Sequence, residues 1–210
     1  MFKMGAAMDQ LFSRATTSEF FYRLKQKLDA AITGLEPHDF SASSDEQILT
    51  DLLLRHGVQA VTLHRDQEHI DGPVQVQIDV SRNFNYVPTF DGRPSLVSGV
   101  RFTLIVPFSG SAHLLDLRPS TFPVNSPRAT IAGTTLQFVV EEAQPDATSI
   151  QQRFKGLVAS VEQWLGYVNA DVINEMAGWR QEAVVRIATQ RARLSTYDQV
   201  GDDLRRGLRA

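Results

Sequence analysis

No cysteine occurs among the 210 residues of this chain. That absence removes disulfide staples, thiolate nucleophiles and cysteine-ligated zinc together. Lysine is nearly missing as well: Lys3, Lys25, Lys27 and Lys155 are the only four. Two positions before these stand Met1, Arg23, Lys25 and Arg153. A D/E-x-K motif, whose carboxylate holds a metal while the lysine positions water, is therefore absent, and with it the usual mark of a PD-(D/E)xK nuclease core. The phosphate-cradling patterns G-x-G-x-x-G and G-x-x-x-x-G-K-[ST] and the zinc motif H-E-x-x-H are missing too. No apolar run approaches the ~20 residues of a membrane span. The opening stretch MFKMGAAMDQLFSRATT lacks the apolar core of a signal peptide. These absences predict a cytoplasmic protein with no membrane contact and no cofactor. The formal net charge of -3 gives no basic surplus of the kind nucleic-acid-binding domains carry, although a local basic patch is compatible with it.

What is present is ordinary globular composition, 42% hydrophobic and 21% charged, in a chain long enough for one substantial core or two small ones. Thr16 and Glu19 have capping-box spacing, and Phe20, Phe21, Leu24, Leu28 and Ile32 follow at helical intervals until Gly34 and Pro37. Ser44 and Gln47 open a second short helix with Ile48, Leu49, Leu52 and Leu53 on one face, and Gly57 suits a left-handed C-terminal cap. EPHDFSASSD between them reads as an exposed linker. From residue 58 the period changes to two. VQVQIDV puts Val74, Val76, Ile78 and Val80 on one face, after an Asp71-Gly72 turn pair; GVRFTLIVPF is a second strand; RATIAG and TTLQFVVEE pair around Gly133. Five or six strands with short connections predict antiparallel pairing. Thr148 and Gln151 then start a helical region carrying Ile150, Phe154, Val158, Val161, Trp164 and Val168, and GYVNAD at Gly166 either breaks or bends it before Val172, Met176, Trp179, Ala183 and Ile187 continue the stripe. The expected fold class is α+β: an antiparallel sheet or small sandwich flanked by N-terminal helices and a C-terminal helical pair. The expected regions are 1–57 (helical), 58–144 (β) and 145–210 (helices and basic tail).

The loop-like stretch VPFSGSAHLLDLRPSTFP, Val106 to Pro123, is the one place that suggests catalysis. Pro107 fits a strand end, Ser109-Gly110-Ser111 a turn, and AHLLDL a further extended segment. Ser111 and His113 would share a strand face, but no nucleophile elbow, oxyanion donor or orienting acid accompanies them. A hydrolase using this pair is the weaker alternative. His56, His64 and His69 with Asp66 and Asp71 are the densest ligand-type group; His64 and His69 are five apart, an odd spacing that puts them on opposite faces of a strand, so solvated loop residues are the better account.

Several segments occur in a familiar order: LHRDQ (Leu63 to Gln67), VQIDVSR (Val76 to Arg82), SGVRFTLIVPFSG (Ser98 to Gly110), LRPSTF (Leu117 to Phe122) and SPRATI (Ser126 to Ile131), then VNADVINEM and RIATQRARL. Over roughly residues 45–195 the chain resembles the N-terminal module of a poorly characterised group of bacterial anti-phage defence proteins, in which longer members join it to a restriction-endonuclease-like or other effector domain. The resemblance implies the module alone, with its effector on a separate polypeptide, and so a non-enzymatic accessory, sensor or scaffold subunit of a defence complex. It brings no catalytic residues. Seventeen of the twenty-one basic residues are arginine, a residue suited to interfaces, and the expected partner contacts are Phe20, Trp179, Arg191, Arg193, Arg205 and Arg206. Self-association is left open. The alternative is a nucleic-acid sensor using Arg82, Arg93, Arg101, Arg118 and Arg128 against phosphate backbone.

Overall fold

The computed structural model describes residues 8–81, 95–122 and 125–208. Helix α1 (Thr17–Thr33) starts where the sequence places it: Thr16 Oγ1 accepts from the Glu19 N–H at 3.2 Å, and Glu19 Oε2 accepts from the Thr16 N–H at 3.3 Å. The segment expected to be a linker folds into a short helix, α2 (Pro37–Ala42), because Pro37 sits in the first turn, where its missing N–H costs nothing, and Glu36 and Asp39 close a capping box. Ser44 and Gln47 cap α3 (Asp45–His56) as expected. Gly57 ends α3 in extended backbone (φ -68°), not the left-handed form. Glycine is required there for another reason: a Cβ would lie 2.1 Å from the Leu53 carbonyl oxygen.

The strands are β1 (Asp9–Gln10), β2 (Ala15–Thr16), β3 (Thr62–Leu63), β4 (His69–Asp79), β5 (Leu96–Ser109), β6 (Leu117–Arg118), β7 (Arg128–Ala132) and β8 (Thr135–Glu142). Six of them form one antiparallel sheet in the order β1-β7-β8-β5-β3, with β4 also paired to β5; β2 and β6 make a separate two-residue parallel pair. The fold is α+β, with a single sheet instead of a sandwich. Residues 9–16 contribute strands, so the first region is not purely helical. They also bury Leu11 and Phe12. Phe12 takes a positive φ of 53°, held by its N–H donating to the Leu115 carbonyl at 2.7 Å and by its ring stacking on Trp164 at 5.5 Å.

One face of the sheet carries Leu104, Val106 and Phe108 of β5 with Leu136, Phe138 and Val140 of β8, all buried. The expected turn at Asp71-Gly72 is a bulge inside β4. Asp71 pairs with Thr103 but Val74 pairs with Arg101, so three steps on β4 match two on β5. Gly72 makes this geometry available: its φ is +112°, and a Cβ would meet the Arg101 carbonyl oxygen at 2.7 Å. An extra residue reverses the facing of everything after it. Val74, Val76 and Ile78 therefore stand opposite Arg101, Gly99 and Val97, on the face away from the core. Gln75 and Gln77 take the other face.

Helix α4 (Ala147–Gly207) is a single helix of 61 residues, about 90 Å long at ~1.5 Å per residue. The expected helical pair is thus one element. It starts two residues before the expected cap, on Asp146, whose Oδ2 accepts from the Ser149 N–H at 2.7 Å. No proline falls within it, and Gly166 faces open space, so GYVNAD neither breaks nor caps. Its polar residues are clamps. Asn169 donates to the Val61 carbonyl at 2.8 Å and accepts from the Val61 N–H at 3.0 Å, imitating a strand pairing. Asp171 accepts from Thr17 Oγ1 at 2.7 Å, from the Ser120 N–H at 2.8 Å and from Ser120 Oγ at 2.7 Å. Along α4, Ile150 to Val172 pack in the sheet core with Phe138, Leu114 and Leu115, and Trp179, Ala183 and Ile187 pack in a second core with Leu28, Ile32, Ile48, Leu49 and Leu52. Asp171→Ala removes three charge-assisted bonds and is expected to cost about 2–3 kcal/mol, read as a lower urea midpoint at unchanged helix content.

Candidate functional site

The last tethers between α4 and the body are Gln190 and Arg191. Gln190 Nε2 donates to the Thr33 and Leu35 carbonyls, each at 3.1 Å. The Arg191 guanidinium donates to Asp45 Oδ1 at 2.8 Å and to the Phe40 and Ser43 carbonyls at 3.2 Å, and lies 4.8 Å from the centre of the Phe40 ring. Arg191, expected at a partner, is thus spent within the chain. Beyond it the helix leaves the body. From Ala192 to Leu208 every residue is exposed except Leu194 and Gly201, which are half-buried.

This projecting arm is not uniformly polar. Ile187, Leu194, Gly201 and Leu208 are spaced by seven, as are Gln190, Tyr197 and Leu204. The two series form an a/d seam whose first members are buried against α1 and α3 and whose later members are not: Tyr197 is 62% exposed, Leu204 64% and Leu208 88%. Arg205 and Arg206 pair with Asp202 and Asp203 on the same helix, at 2.9 and 3.3 Å, and Arg193 is exposed. Residue type points to the arginines of this arm and passes over its apolar seam, whose signal in the sequence is the seven-residue spacing.

Trp179 is 6% exposed and belongs to the second core. Phe20 is half-buried, with its ring centre 5.3 Å from that of Phe21 and 4.9 Å from that of His113. It lines a cleft of about 480 Å³ together with Arg14, Lys27, Arg55, His56 and His113. The segment holding His113 is a one-turn 3-10 helix, Ala112–Asp116, not the extended stretch expected, and β5 runs through Pro107 to Ser109. Ser111 therefore does not share a strand face with His113. Its Oγ accepts from the Gln59 N–H at 3.1 Å and its N–H donates to the Gln59 carbonyl at 3.0 Å, while His113 turns to Phe20. The other histidines are dispersed: His56 ends α3 at the cleft rim, a 3-10 turn (Arg65–Gln67) separates His64 from His69, and Asp71 sits at the bulge. Among the described residues no group of three or more histidine and acidic side chains is arranged to hold a metal ion.

The three described arginines of the nucleic-acid alternative, Arg101, Arg118 and Arg128, do not assemble on one face. Arg101 pairs with Glu141 at 2.6 Å on the side of the sheet away from the core. Arg118 lies 5.4 Å from the Phe122 ring centre, and Arg128 stands opposite Gln10 at the far edge. Arg82 and Arg93 lie outside the described residues.

No family model, curated protein or solved structure matches this chain. Among the described residues no helix is long and apolar enough to cross a membrane.

Burial holds the His113 imidazole below the ordinary histidine value, a shift partly opposed by the Asp116 carboxylate. The unfolded chain therefore binds a proton more readily than the folded one, and stability falls as the pH drops below about 6.5. His113→Gln is expected to flatten this part of the profile, measured as urea midpoints on either side of that value.

Proposed function

We propose that this protein is a non-catalytic accessory subunit of a bacterial anti-phage defence complex, and that it binds a separate effector through the projecting end of α4. The observation that carries the reading is the a/d seam of Leu194, Tyr197, Leu204 and Leu208, which continues the buried stripe of the same helix into solvent. A helix that keeps a seven-residue apolar repeat beyond its own core is built to meet another helix. Its flanking Arg193 and Asp198, both exposed, would set the partner's register through charge. The resemblance of residues 45–195 to defence-associated modules supplies the biological setting. Two of the segments that carry it, VNADVINEM and RIATQRARL, contain the clamps Asn169, Asp171, Gln190 and Arg191, so they fit a scaffold role better than a reactive one.

The nucleic-acid alternative has less support, since Arg101 is already paired with Glu141. The Ser111 hydrolase alternative has less again, since Ser111 and His113 engage different neighbours.

The test is affinity purification of the tagged full chain from its native host, with nuclease in the wash, beside a Tyr197→Glu/Leu204→Glu variant. Both positions are exposed, so the fold and its thermal midpoint should be unchanged. The wild type is expected to retain an effector in fixed ratio, and the variant to lose at least tenfold of it. Equal recovery with both chains would rule out docking through the arm.

A further inference from the structure

The strand with the strongest alternation in the sequence, Val74 to Val80, turns its apolar residues off the core face: Val80 is buried, Val76 and Ile78 are half-buried and Val74 is exposed. Past the bulge, Val74, Val76 and Ile78 point away from the core; Val74 is 56% exposed. On its second edge β4 has no strand partner among the described residues. The Val80 N–H donates to the Ser95 carbonyl at 2.8 Å, so Val80 forms a hydrogen-bonded pair with β5. By the alternation of antiparallel ladders, Ile78, Val76 and Val74 do the same. The N–H and C=O groups of Gln75 and Gln77 consequently point outward, along an edge that no other described strand covers.

Edge strands are ordinarily blunted by proline, bulges or charge. Here those devices stop early. The bulge and Pro73 interrupt the edge up to residue 73, and the next five residues, Val74 to Ile78, carry no charge, proline or glycine. The five also read alike in both directions. Laid antiparallel on a second copy about a twofold axis at Val76, Val76 meets Val76, Val74 meets Ile78, and Gln75 meets Gln77. The outward groups of Gln75 and Gln77 fall opposite one another as hydrogen-bonded pairs. Asp79 falls opposite Pro73, so no two carboxylates face each other. A register one residue lower would set Asp71 against Asp79, and like charges directly opposite are unfavourable.

We infer that β4 is a self-pairing edge, through which two copies of this chain join their sheets into one continuous antiparallel sheet with a strip of Val74, Val76 and Ile78 crossing the twofold. An isologous contact of this kind closes at two copies and does not propagate. It lies on a different element from the projecting arm, so one partner surface does not depend on the other.

The test is sedimentation velocity of the purified full chain at about 100 µM, where a micromolar interface is populated, with Gln77→Pro beside it. Proline at 77 deletes one outward N–H and leaves the ladder to β5 intact, so the monomer should fold as before. A Gln75→Lys/Gln77→Lys variant gives a second route that places four like charges at the axis without touching the backbone. Since the chain has no cysteine, Val76→Cys and Val74→Cys then report the register. The wild type is expected to be a dimer and the proline and double-lysine variants monomers, with oxidation cross-linking position 76 at least tenfold more than position 74. A monomeric wild type, including one that pairs only with a foreign strand, overturns the inference. So does a dimer that persists in both the proline and the double-lysine variants, or one that cross-links equally at both positions.

Discussion

Everything in this molecule leans on one helix remaining unbroken for 61 residues. A single apolar stripe on α4 serves the sheet core over Ile150 to Val172 and the helical core over Trp179 to Ile187. If the helix stopped at Gly166, the second core would lose Trp179, Ala183 and Ile187, and α1 and α3 would have only each other to cover Leu28, Ile32, Ile48 and Leu49. Glycine inside a helix costs about 1 kcal/mol relative to alanine, and α4 carries several. That cost is met by burial on one side and by the Asn169 and Asp171 clamps, which fasten the helix to Val61, Thr17 and Ser120. The same polar side chains that make the middle of the helix look like a break are what hold it in place.

Local rules located the elements well and their relations less well. The capping boxes at Thr16 and Ser44 were legible because they involve residues three apart. The strands around Gly133 were legible for the same reason. The facing of β4 was not. Alternation in VQVQIDV predicts a strand with one apolar side, but which side meets the core depends on a bulge at Gly72 that sets the register against β5. GYVNAD reads as a turn because glycine, asparagine and aspartate are turn formers by local statistics, whereas here Gly166 stays helical and the partners of Asn169 and Asp171 are 51 to 154 residues away. Long-range hydrogen bonds leave no trace in a short window of sequence.

The candidate sites divide along the same line. Residue type points to arginines and aromatics as contacts, yet type says nothing about whether a side chain is already engaged. Arg191 binds two backbone carbonyls and Asp45; Trp179 is interior; Arg205 pairs with Asp202 on its own helix; Arg193 is exposed. The seam on the arm is different. It is a statement of periodicity, and periodicity survives from sequence to structure because a helix imposes it.

The clamps on α4 also fix an order of events during synthesis. Thr17, Val61 and Ser120 leave the ribosome well before Asn169 and Asp171, and both cores lack their main wall until α4 exists. The sheet therefore emerges before the helix that covers its core face of Leu104, Val106, Phe138 and Val140. At ~5–20 residues per second, that face stays uncovered for several seconds before the helix arrives to close it. Contacts of such high sequence separation form late. The demand on the cell's holding chaperones is set by the position of one helix in the gene, whatever the final stability of the product.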